Sequence, residues 1–497
     1  MFMREGGDDR IRIALALLAG SVMQFAFSPF DYNWLAVLAL ALWARLLPDT
    51  NKPFLVAYAF GFGWFGCGSW WLADTFHLYG GLPYAVGLLC VALVGLALGL
   101  LPALWGWLAA KSAGRTLWIV LTFPALAVLS EWLRGHIFTG LPWTSLGNLI
   151  LDTPASSWAS FTGVYGAALL PALAAIGLAL FSDRHKSPAG VAALVTVVAL
   201  TWFAPTLQQA EGETKHAALI QPSIAQDQKW DRAFLQETMQ RFDRLSTQAA
   251  KENDLIIWPE AAVPFFLSRA PGWEMWLTDR VAEWGKPLLF GGLKITGNAE
   301  SDNPAAQNGL FLQLPGETAR SFTGKHHLVP FGEYVPSWIP WLHKLVPNIA
   351  DWQPAANGGV LSDGDTRFGA LICYESIFPE EARDRVAQGA GLLIVVTNDA
   401  WYGKSPAAWQ HLQASRMRAI ETGRYVLRAA NTGVSAIIAP DGEITATMPW
   451  WTQGIVSGNY RASFVTTTYQ QWGDVPALLV AALLLLAGGL LRRFGGE

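Results

Sequence analysis

The segment RFGALICYES (367–376) indicates the fold of the polar part of this 497-residue chain. Its continuous apolar run is typical of a β-strand covered on both faces, and the strand is expected to end near Cys373. Comparable strand candidates are 216–224, 255–262, 287–295, 308–314, 390–399, 424–431, 435–440 and 454–460. Helical stretches lie between them at 231–252, 273–284, 378–388 and 406–422. Strands that alternate with helices predict an α/β domain whose sheets are covered by helices.

Residues 11–206 differ in composition from the polar region that follows. They contain 14 charged side chains in 196 positions, whereas residues 207–465 contain 49 in 259. The first part is therefore expected to lie in hydrocarbon and the second in water. Eight apolar segments are the predicted membrane spans: 11–27, 34–47, 54–73, 84–109, 117–134, 160–181, 189–206 and 475–491. The predicted domains are a helical membrane domain at 1–206, an extramembrane domain at 207–465 inserted between transmembrane helices 7 and 8, and a segment at 466–497 with the eighth helix and a tail.

The short loops between these spans predict an orientation. One side, together with both chain ends, holds eleven Lys and Arg residues, and the loops of the other side hold only Arg134 at a span boundary. Because basic residues resist translocation, both termini are predicted to be cytoplasmic and residues 207–465 to lie on the outer side. The outer loop 135–159 is expected at the membrane interface, with Trp143 and Trp158 at headgroup depth. It is either an aromatic connector or a lipid-facing wall on which Trp143 contacts substrate.

Charge and cysteine content exclude several classes of protein. The formal net charge is −4 and no Lys/Arg cluster occurs, so a nucleic-acid partner is not predicted. Of the three cysteines, Cys67 and Cys90 lie in apolar runs, which leaves Cys373 alone in the polar region. Neither a disulfide framework nor a zinc site built on paired Cys is possible there. Since no HExxH motif or His/Asp cluster is present, we predict no metal site and no cofactor.

Three side chains of the polar region are expected to lie at strand or turn ends and suit one chemistry. Glu260 ends LIIWPE, Lys325 follows a polar turn, and Cys373 lies in LICYES. A cysteine attacks as a thiolate, so either a nearby cation lowers its pKa or a base takes its proton. A glutamate can be that base, and a lysine can stabilise the oxyanion that follows thiolate attack on a carbonyl. Each residue alone is also typical of a structural role: a buried Cys, a paired Glu, a surface Lys.

The chain resembles the nitrilase (carbon–nitrogen hydrolase) superfamily. The resemblance is carried, in this order and separation, by WPE (258–260), GKHHLVPFGEYVP (324–336), ICYE (372–375) and TNDAWYG (397–403). It implies a four-layer αββα sandwich with a catalytic triad: Glu260 as general base, Lys325 as the cation that stabilises the oxyanion, and Cys373 as nucleophile. With seven predicted spans before this domain and one after it, nearly the whole chain resembles the apolipoprotein N-acyltransferases, a membrane-embedded family of that superfamily.

The resemblance also implies roles for residues beside the triad. Glu333, eight residues after the lysine, resembles the carboxylate that orients it, with a surface ion pair as the alternative. Tyr374 and Glu375 follow the nucleophile at positions that the family uses around its active site. Trp230, in QKWD, matches another such position for substrate contact, or is a core residue. Asn398 is expected to support the site and not to react.

The segment 331–352 contains three Trp and three Pro with almost no regular period. Such a segment is either a packed structural arm or a lid with exposed apolar surface. Beside a bilayer, a lid could dip into lipid and admit a substrate with two acyl chains. We therefore expect a lid.

The implied function is a two-step acyl transfer through a thioester on Cys373. The donor is a membrane phospholipid, by resemblance phosphatidylethanolamine. The acceptor is the free α-amine of the diacylglyceryl-cysteine at an apolipoprotein N-terminus, and the reaction completes lipoprotein maturation. The resemblance further implies a monomer in the bacterial inner membrane, with the catalytic domain in the periplasm.

Two alternatives remain open from the sequence. A membrane-anchored nitrilase-like amidase or acyl hydrolase would use the same triad with water as the second acceptor. A transporter with an outer sensory domain would need ionisable residues within its spans. The candidates for such a pathway are Asp74, Glu131 and Arg134, all near predicted span ends.

Overall fold

A computed structural model of the chain describes residues 8–48, 50–112, 116–208, 210–298, 300–301, 304–337 and 352–494. The chain forms two compact units. The helical unit comprises residues 1–206 and 471–497, and the sheet unit comprises residues 207–470.

The helical unit consists of apolar helices joined by short connections. Its helices are α1 (Asp9–Val22), α2 (Asn33–Leu46), α3 (Pro53–Gly68), α4 (Trp71–Leu78), α5 (Tyr84–Ala110), α6 (Thr116–His136), α7 (Ala159–Ala167), α8 (Leu169–Phe181), α9 (Ser187–Trp202) and α16 (Val475–Phe494). Helices α1 and α3 approach closely because glycines lie where they cross. A Cβ on Gly20 would lie 2.0 Å from the carbonyl oxygen of Phe60, and one on Gly63 would lie 2.4 Å from that of Leu17. Such small-residue contacts are typical of helices that pack in membranes.

Two helices of the described residues, α5 and α6, are long and apolar enough to cross a membrane. A third candidate is the pair Pro154–Ala167 and Leu169–Phe181, which is bent by 67°. The shorter apolar helices are Asn33–Leu46, Pro53–Gly68, Ser187–Trp202 and Val475–Leu491. Each predicted span contains a helix, but several fall below the roughly 20 residues that a crossing takes. The count of eight spans therefore stays a prediction.

Two of the predicted spans are interrupted. The segment predicted as one span at 54–73 is divided, since α3 ends at Gly68 and α4 begins at Trp71. Within 160–181, Gly163 has φ of 66°, a left-handed conformation that glycine adopts without steric cost. Both interruptions occur beside glycines, which an apolar run does not distinguish from other small residues.

The loop 135–159 is packed within the helical unit. Trp143 is only 8% exposed, and its ring centroid lies 5.3 Å from that of Trp71. A buried ion pair holds the loop: Arg134 Nη2 donates to Glu131 Oε2 at 2.7 Å, and Arg134 Nη1 donates to the carbonyl oxygen of Trp143 at 2.7 Å. The same Glu131 oxygen accepts from the backbone N–H of Leu146 at 3.0 Å. Glu131 and Arg134, two of the three residues considered for a transport pathway, are thus explained as an ion pair that holds this loop.

The sheet unit alternates strands and helices. Its strands are β1 (Thr214–Gln221), β2 (Leu255–Ile257), β3 (Leu288–Ile295), β4 (Ala306–Gln313), β5 (Arg320–Gly324), β6 (Val360–Ser362), β7 (Arg367–Ile372), β8 (Leu392–Thr397), β9 (Val426–Ala430), β10 (Ala436–Ile438), β11 (Ile444–Thr447) and β12 (Gly454–Arg461). Its helices are α10 (Gln226–Lys229), α11 (Leu235–Ala249), α12 (Pro271–Trp284), α13 (Pro379–Ala387) and α14 (Ala407–Thr422), and α15 (Thr468–Trp472) ends the unit. All nine strand candidates and all four helical stretches contain an element of the predicted type; β5, β6 and β11 were not predicted.

The strands form two six-stranded sheets. The first has the order β12-β1-β2-β3-β4-β5 and the second the order β11-β10-β9-β8-β7-β6. Strands β1, β2 and β3 run parallel, as do β7, β8 and β9, and the outer pairs are antiparallel. Parallel strands bring their carboxyl ends to one edge of a sheet, so residues that follow β2 and β7 lie at corresponding edges.

The two sheets pack face to face, and helices cover both outer faces. One buried cluster joins Leu219 and Leu289 of the first sheet to Ile394 of the second. Phe242 of α11 packs against the outer face of the first sheet, and Leu412 of α14 against that of the second. The predicted four-layer αββα sandwich is confirmed.

Candidate active site

Cys373 begins a short 3₁₀ turn directly after β7. It is 6% exposed and has φ of 53°, an unusual conformation for a residue with a side chain. Backbone strain of this kind concentrates at functional sites. The hydroxyl Oγ1 of Thr397, at the end of β8, lies 3.3 Å from Cys373 Sγ. The turn therefore fixes the thiol at the carboxyl edge of the parallel strands.

Glu260 follows β2 by three residues and is buried. Its Oε1 accepts a hydrogen bond from Asn308 Nδ2 of β4 at 2.7 Å. Its Oε2 accepts one from the backbone N–H of Asn398 at 2.9 Å. Both carboxylate oxygens thus accept hydrogen bonds from uncharged donors, one within β4 and one directly after β8. These bonds orient the carboxylate without neutralising its charge. The contact of Asn398 with Glu260 is made by its backbone, and its supporting role stays a prediction.

Lys325 follows β5 by one residue and is 1% exposed. Its Nζ lies 2.8 Å from Glu333 Oε1 and 3.9 Å from Glu260 Oε1. The second oxygen of Glu333 accepts from the backbone N–H of Val329 at 2.7 Å, so Glu333 closes the loop that carries the lysine. The structure therefore brings Glu260, Lys325 and Glu333 together as one cation between two carboxylates.

The charges around the thiol determine its resting form. Burial alone would lower the pKa of Lys325, but Glu333 and Glu260 outweigh it and hold that pKa above its usual value. Burial and the Glu260 carboxylate raise the pKa of the Cys373 thiol, and the opposing effect of Lys325 is smaller. Cysteine therefore rests as a thiol beside a charged ammonium. Of the two routes to a thiolate, removal of the proton by a base is the one that these charges favour.

Glu375 is fully buried and links two parts of the site. Its Oε1 accepts from the backbone N–H groups of His326 and His327, at 2.7 and 3.2 Å. Its Oε2 accepts from the N–H of Ile372 at 2.7 Å, and Arg385 Nη2 lies 3.4 Å from Oε1. One carboxylate thus joins the segment after the lysine to the strand before the cysteine. This is a positioning role.

Tyr374 is buried beside the nucleophile and packs among aromatic rings. Its ring centroid lies 4.9 Å from that of Phe378 in an edge-to-face arrangement and 5.7 Å from that of His327. Burial raises the pKa of the Tyr374 hydroxyl above its usual value, so the phenol remains neutral. The residue supports the turn that holds the thiol.

Lys229 is a buried cation that the sequence analysis missed. It ends α10, directly before Trp230, and its Nζ donates to the backbone carbonyl oxygen of Glu260 at 2.8 Å. Burial lowers the pKa of Lys229 to about 8, against the opposing effects of Glu260 and Cys373. Trp230 itself is 44% exposed, so it is not a core residue. A lysine in the polar run QDQK gives no sequence signal of burial.

Two further predicted features are the substrate contact of Trp143 and the lid. Trp143 belongs to the helical unit, and its contact with substrate stays a prediction. Of the predicted lid at 331–352, residues 338–351 lie outside the described residues. Among the described residues, no group of three or more His, Cys, Asp or Glu side chains is placed to hold a metal ion.

The carbon–nitrogen hydrolase family model matches residues 216–470, a range that includes Glu260, Lys325 and Cys373. A second model, the apolipoprotein N-acyltransferase N-terminal domain, matches residues 19–177. The chain belongs to the apolipoprotein N-acyltransferase family, since relatives of that name are 33% and 37% identical over 97% and 94% of its length.

Curated relatives match over almost their whole length. The apolipoprotein N-acyltransferase of Methylococcus capsulatus is 37% identical over 94% of this chain and 94% of its own. That of Shewanella oneidensis is 33% identical over 97% of this chain and 96% of its own. That of Geobacter metallireducens is 33% identical over 96% and 95%. The similarity thus includes both the helical and the sheet unit.

Proposed function

We propose that this chain transfers a fatty acyl group from a membrane phospholipid to the α-amine of the N-terminal diacylglyceryl-cysteine of apolipoproteins, through a thioester on Cys373. The observation that carries the proposal is the buried cluster of Glu260, Lys325 and Cys373 in a chain of the apolipoprotein N-acyltransferase family. The chemistry needs a nucleophile, a base and an oxyanion-stabilising cation, and these side chains supply one of each.

In the first half-reaction, Glu260 takes the proton of Cys373 and the thiolate attacks an ester carbonyl of the phospholipid. Lys325, held charged by Glu333, stabilises the oxyanion of the tetrahedral intermediate. The ester C–O bond then breaks, and Glu260 returns the proton to the departing lysophospholipid oxygen. The acyl group remains on sulfur.

In the second half-reaction, the acceptor amine attacks the thioester carbonyl and Glu260 takes a proton from the attacking nitrogen. Lys325 stabilises the second oxyanion, the C–S bond breaks, and the sulfur leaves with its electron pair and recovers a proton from Glu260. The product is an amide on the lipoprotein. Because one sulfur serves both substrates in turn, ping-pong kinetics are expected.

We propose phosphatidylethanolamine as the donor and a monomer as the working form. The proposed topology has eight spans in the bacterial inner membrane, cytoplasmic termini and a periplasmic catalytic domain. The proposed domain boundaries are 1–206, 207–465 and 466–497. The near absence of basic residues from one set of loops supports the orientation. Trp230, half exposed and adjacent to Lys229, is proposed to contact the acyl chains, and 331–352 to act as the lid.

The experiment that tests this proposal is intact mass measurement of the detergent-solubilised protein after incubation with phosphatidylethanolamine. We expect one acyl adduct that hydroxylamine removes, absent from Cys373→Ala and retained in the matched variants Cys67→Ala and Cys90→Ala. Addition of a diacylated lipopeptide should move the acyl group to the peptide amine. Loss of the adduct as free fatty acid despite the peptide would instead identify an acyl hydrolase. No adduct with any phospholipid would refute the thioester.

A further inference from the structure

A buried polar cluster contacts Cys373 independently of Glu260 and Lys325. Thr397 Oγ1 lies 3.3 Å from Cys373 Sγ and 2.8 Å from Asp399 Oδ1. Thr397 is fully buried and Asp399 is 1% exposed, so water does not compete for these contacts. A hydroxyl carries one hydrogen and two lone pairs, so Thr397 can donate to only one of its two neighbours at a time. Whether Thr397 donates to Cys373 or to Asp399 depends on the charge of the Cys373 sulfur.

The carboxylate of Asp399 stays an acceptor whichever way the Thr397 hydroxyl turns. Arg428 Nη2 donates to Asp399 Oδ2 at 2.7 Å, and His411 Nδ1 lies 3.0 Å from Oδ1. Burial would raise the pKa of Asp399, but Arg428 and His411 outweigh it and lower that pKa to about 2. Loss of the hydrogen bond from Thr397 therefore leaves Asp399 ionised and still paired.

The cluster also fixes the backbone of the nucleophile. His411 Nε2 lies 2.9 Å from the carbonyl oxygen of Cys373, and the Ser376 hydroxyl donates to the same oxygen at 2.9 Å. His411 thus contacts both Asp399 and Cys373. The distance between Cys373 Sγ and Thr397 Oγ1 is therefore set by the contacts of the surrounding residues, and not only by the Cys373 and Thr397 side chains.

We propose that Thr397 is a catalytic hydrogen-bond donor to the Cys373 thiolate and that Asp399 is the positioning residue that accepts the same hydrogen while the sulfur is protonated. In the resting thiol, the hydroxyl donates to Asp399 and presents a lone pair to the S–H group. When the S–H bond breaks, the proton forms an O–H bond on Glu260 and the sulfur keeps the electron pair. The hydroxyl then turns about its C–O bond and donates to sulfur, with no proton gained or lost by Thr397.

The hydrogen bond stabilises the anion twice in each cycle, when the thiol is deprotonated and when the amine expels the sulfur from the thioester. This consequence rests on the proposed function, whereas the hydrogen bond itself does not. The titratable groups that act on Cys373 are Glu260, Lys325, Lys229, Asp399 and Tyr402. None of the groups in this cluster belongs to a substrate, so the hydrogen bond from Thr397 to Cys373 can be tested without lipid.

The test is the rate of iodoacetamide alkylation of Cys373 against pH, in full-length detergent-solubilised protein with Cys67→Ala and Cys90→Ala as the parent, which leaves Cys373 as the sole thiol. Thr397→Val removes the donor at nearly constant volume, and Thr397→Ser keeps it. Below the midpoint the rate rises tenfold per pH unit, so a midpoint raised by about one unit should appear in the Val variant as a rate about tenfold lower at each pH, whereas the Ser variant should stay near the parental rate.

Thr397→Ala provides a second variant without the donor if the Val side chain prevents folding, with thermal unfolding as the check. A parental midpoint in either folded variant that lacks the hydroxyl would overturn the proposal, as would an equal shift in the Ser variant. Acyl transfer that survives Cys373→Ala would overturn the proposed function and leave the alkylation result unaffected. The two failures are therefore distinguishable.

Discussion

Each unit of the molecule contains a group of buried charged side chains. The two groups differ in the partners of their hydrogen bonds. In the helical unit, Arg134 and Glu131 pair with each other and then with backbone groups of residues 141–146. In the sheet unit, Lys325 lies between two carboxylates near a thiol. The first group fixes a loop, and the second places unlike charges around a nucleophile. Burial of charge therefore does not by itself identify a reactive site.

The two groups differ in whether a titratable side chain lies beside the paired charges. One cation and one anion, with backbone groups as further partners, form a closed structural unit that costs free energy to break. In the sheet unit, two carboxylates and two cations, Lys325 and Lys229, lie around a thiol that belongs to no ion pair, and their charges act on the pKa of that thiol. The contrast predicts that substitution of Lys325 or Glu333 changes rates, whereas substitution of Arg134 changes stability.

The largest effect is expected from Lys325→Met. It removes the cation from both oxyanion intermediates and leaves two carboxylates without it, so the rate of adduct formation should fall about 10³-fold. The measurement is the rate of acylation by phosphatidylethanolamine, followed by intact mass. Lys286→Met, at a half-exposed lysine paired with Asp254, is the matched control and should keep the parental rate. A variant that retained a tenth of that rate would remove Lys325 from the mechanism.

Glu333→Gln removes one of the two carboxylates beside Lys325. The neutral amide should cost about 10- to 100-fold in rate, since one charged hydrogen bond is lost. The pKa of Lys325 should fall, because Glu333 is the strongest influence that raises it. The high-pH decline of the rate should therefore begin at a lower pH than in the parent. Equal pH profiles would contradict the assigned role, and Glu237→Gln, at an exposed ion pair, is the control.

Arg134→Met tests the other half of the comparison. Removal of one partner leaves Glu131 buried without its cation, and the cost should be about 3–5 kcal/mol of unfolding free energy. We expect a lower thermal midpoint in detergent and an acylation rate per folded molecule within about twofold of the parent. The double variant Arg134→Met/Glu131→Leu should recover part of the midpoint. Lost activity at an unchanged thermal midpoint would contradict a structural role for Arg134.

The smallest effect is expected from Lys229→Met, and it concerns pH. The pKa of Lys229 is about 8 in the folded protein and about 10.4 when unfolded. Between these values the unfolded chain binds more protons, so this site contributes stability that increases as pH rises from about 8 towards 10.4. The thermal midpoint of the parent should rise relative to that of the variant across this window. Parallel curves for the two proteins would contradict the burial of Lys229.

Much of the sheet unit could be predicted because buried parallel strands are apolar without interruption. The three strands that were missed, β5, β6 and β11, all lie at sheet edges. An edge strand pairs on one side only and is often short or polar, so its sequence differs little from a loop. The prediction failed where the apolar pattern disappears.

The positions of Glu260, Lys325 and Cys373 after strand ends could be predicted because a short motif surrounds each of them. The contacts that hold these side chains could not be predicted. Asn308 and Asn398 reach Glu260 from 48 and 138 residues away. Such pairings depend on which strands become neighbours, and a single sequence does not contain that information. Lys229 was missed for the same reason.

Glu375 has a consequence for how this enzyme can diversify. Its carboxylate binds the backbone on both sides of the gap between Lys325 and Cys373, through amide groups that any residue except proline would leave in place. The side chains of the residues that carry those amides can therefore vary without changing the relative positions of Lys325 and Cys373.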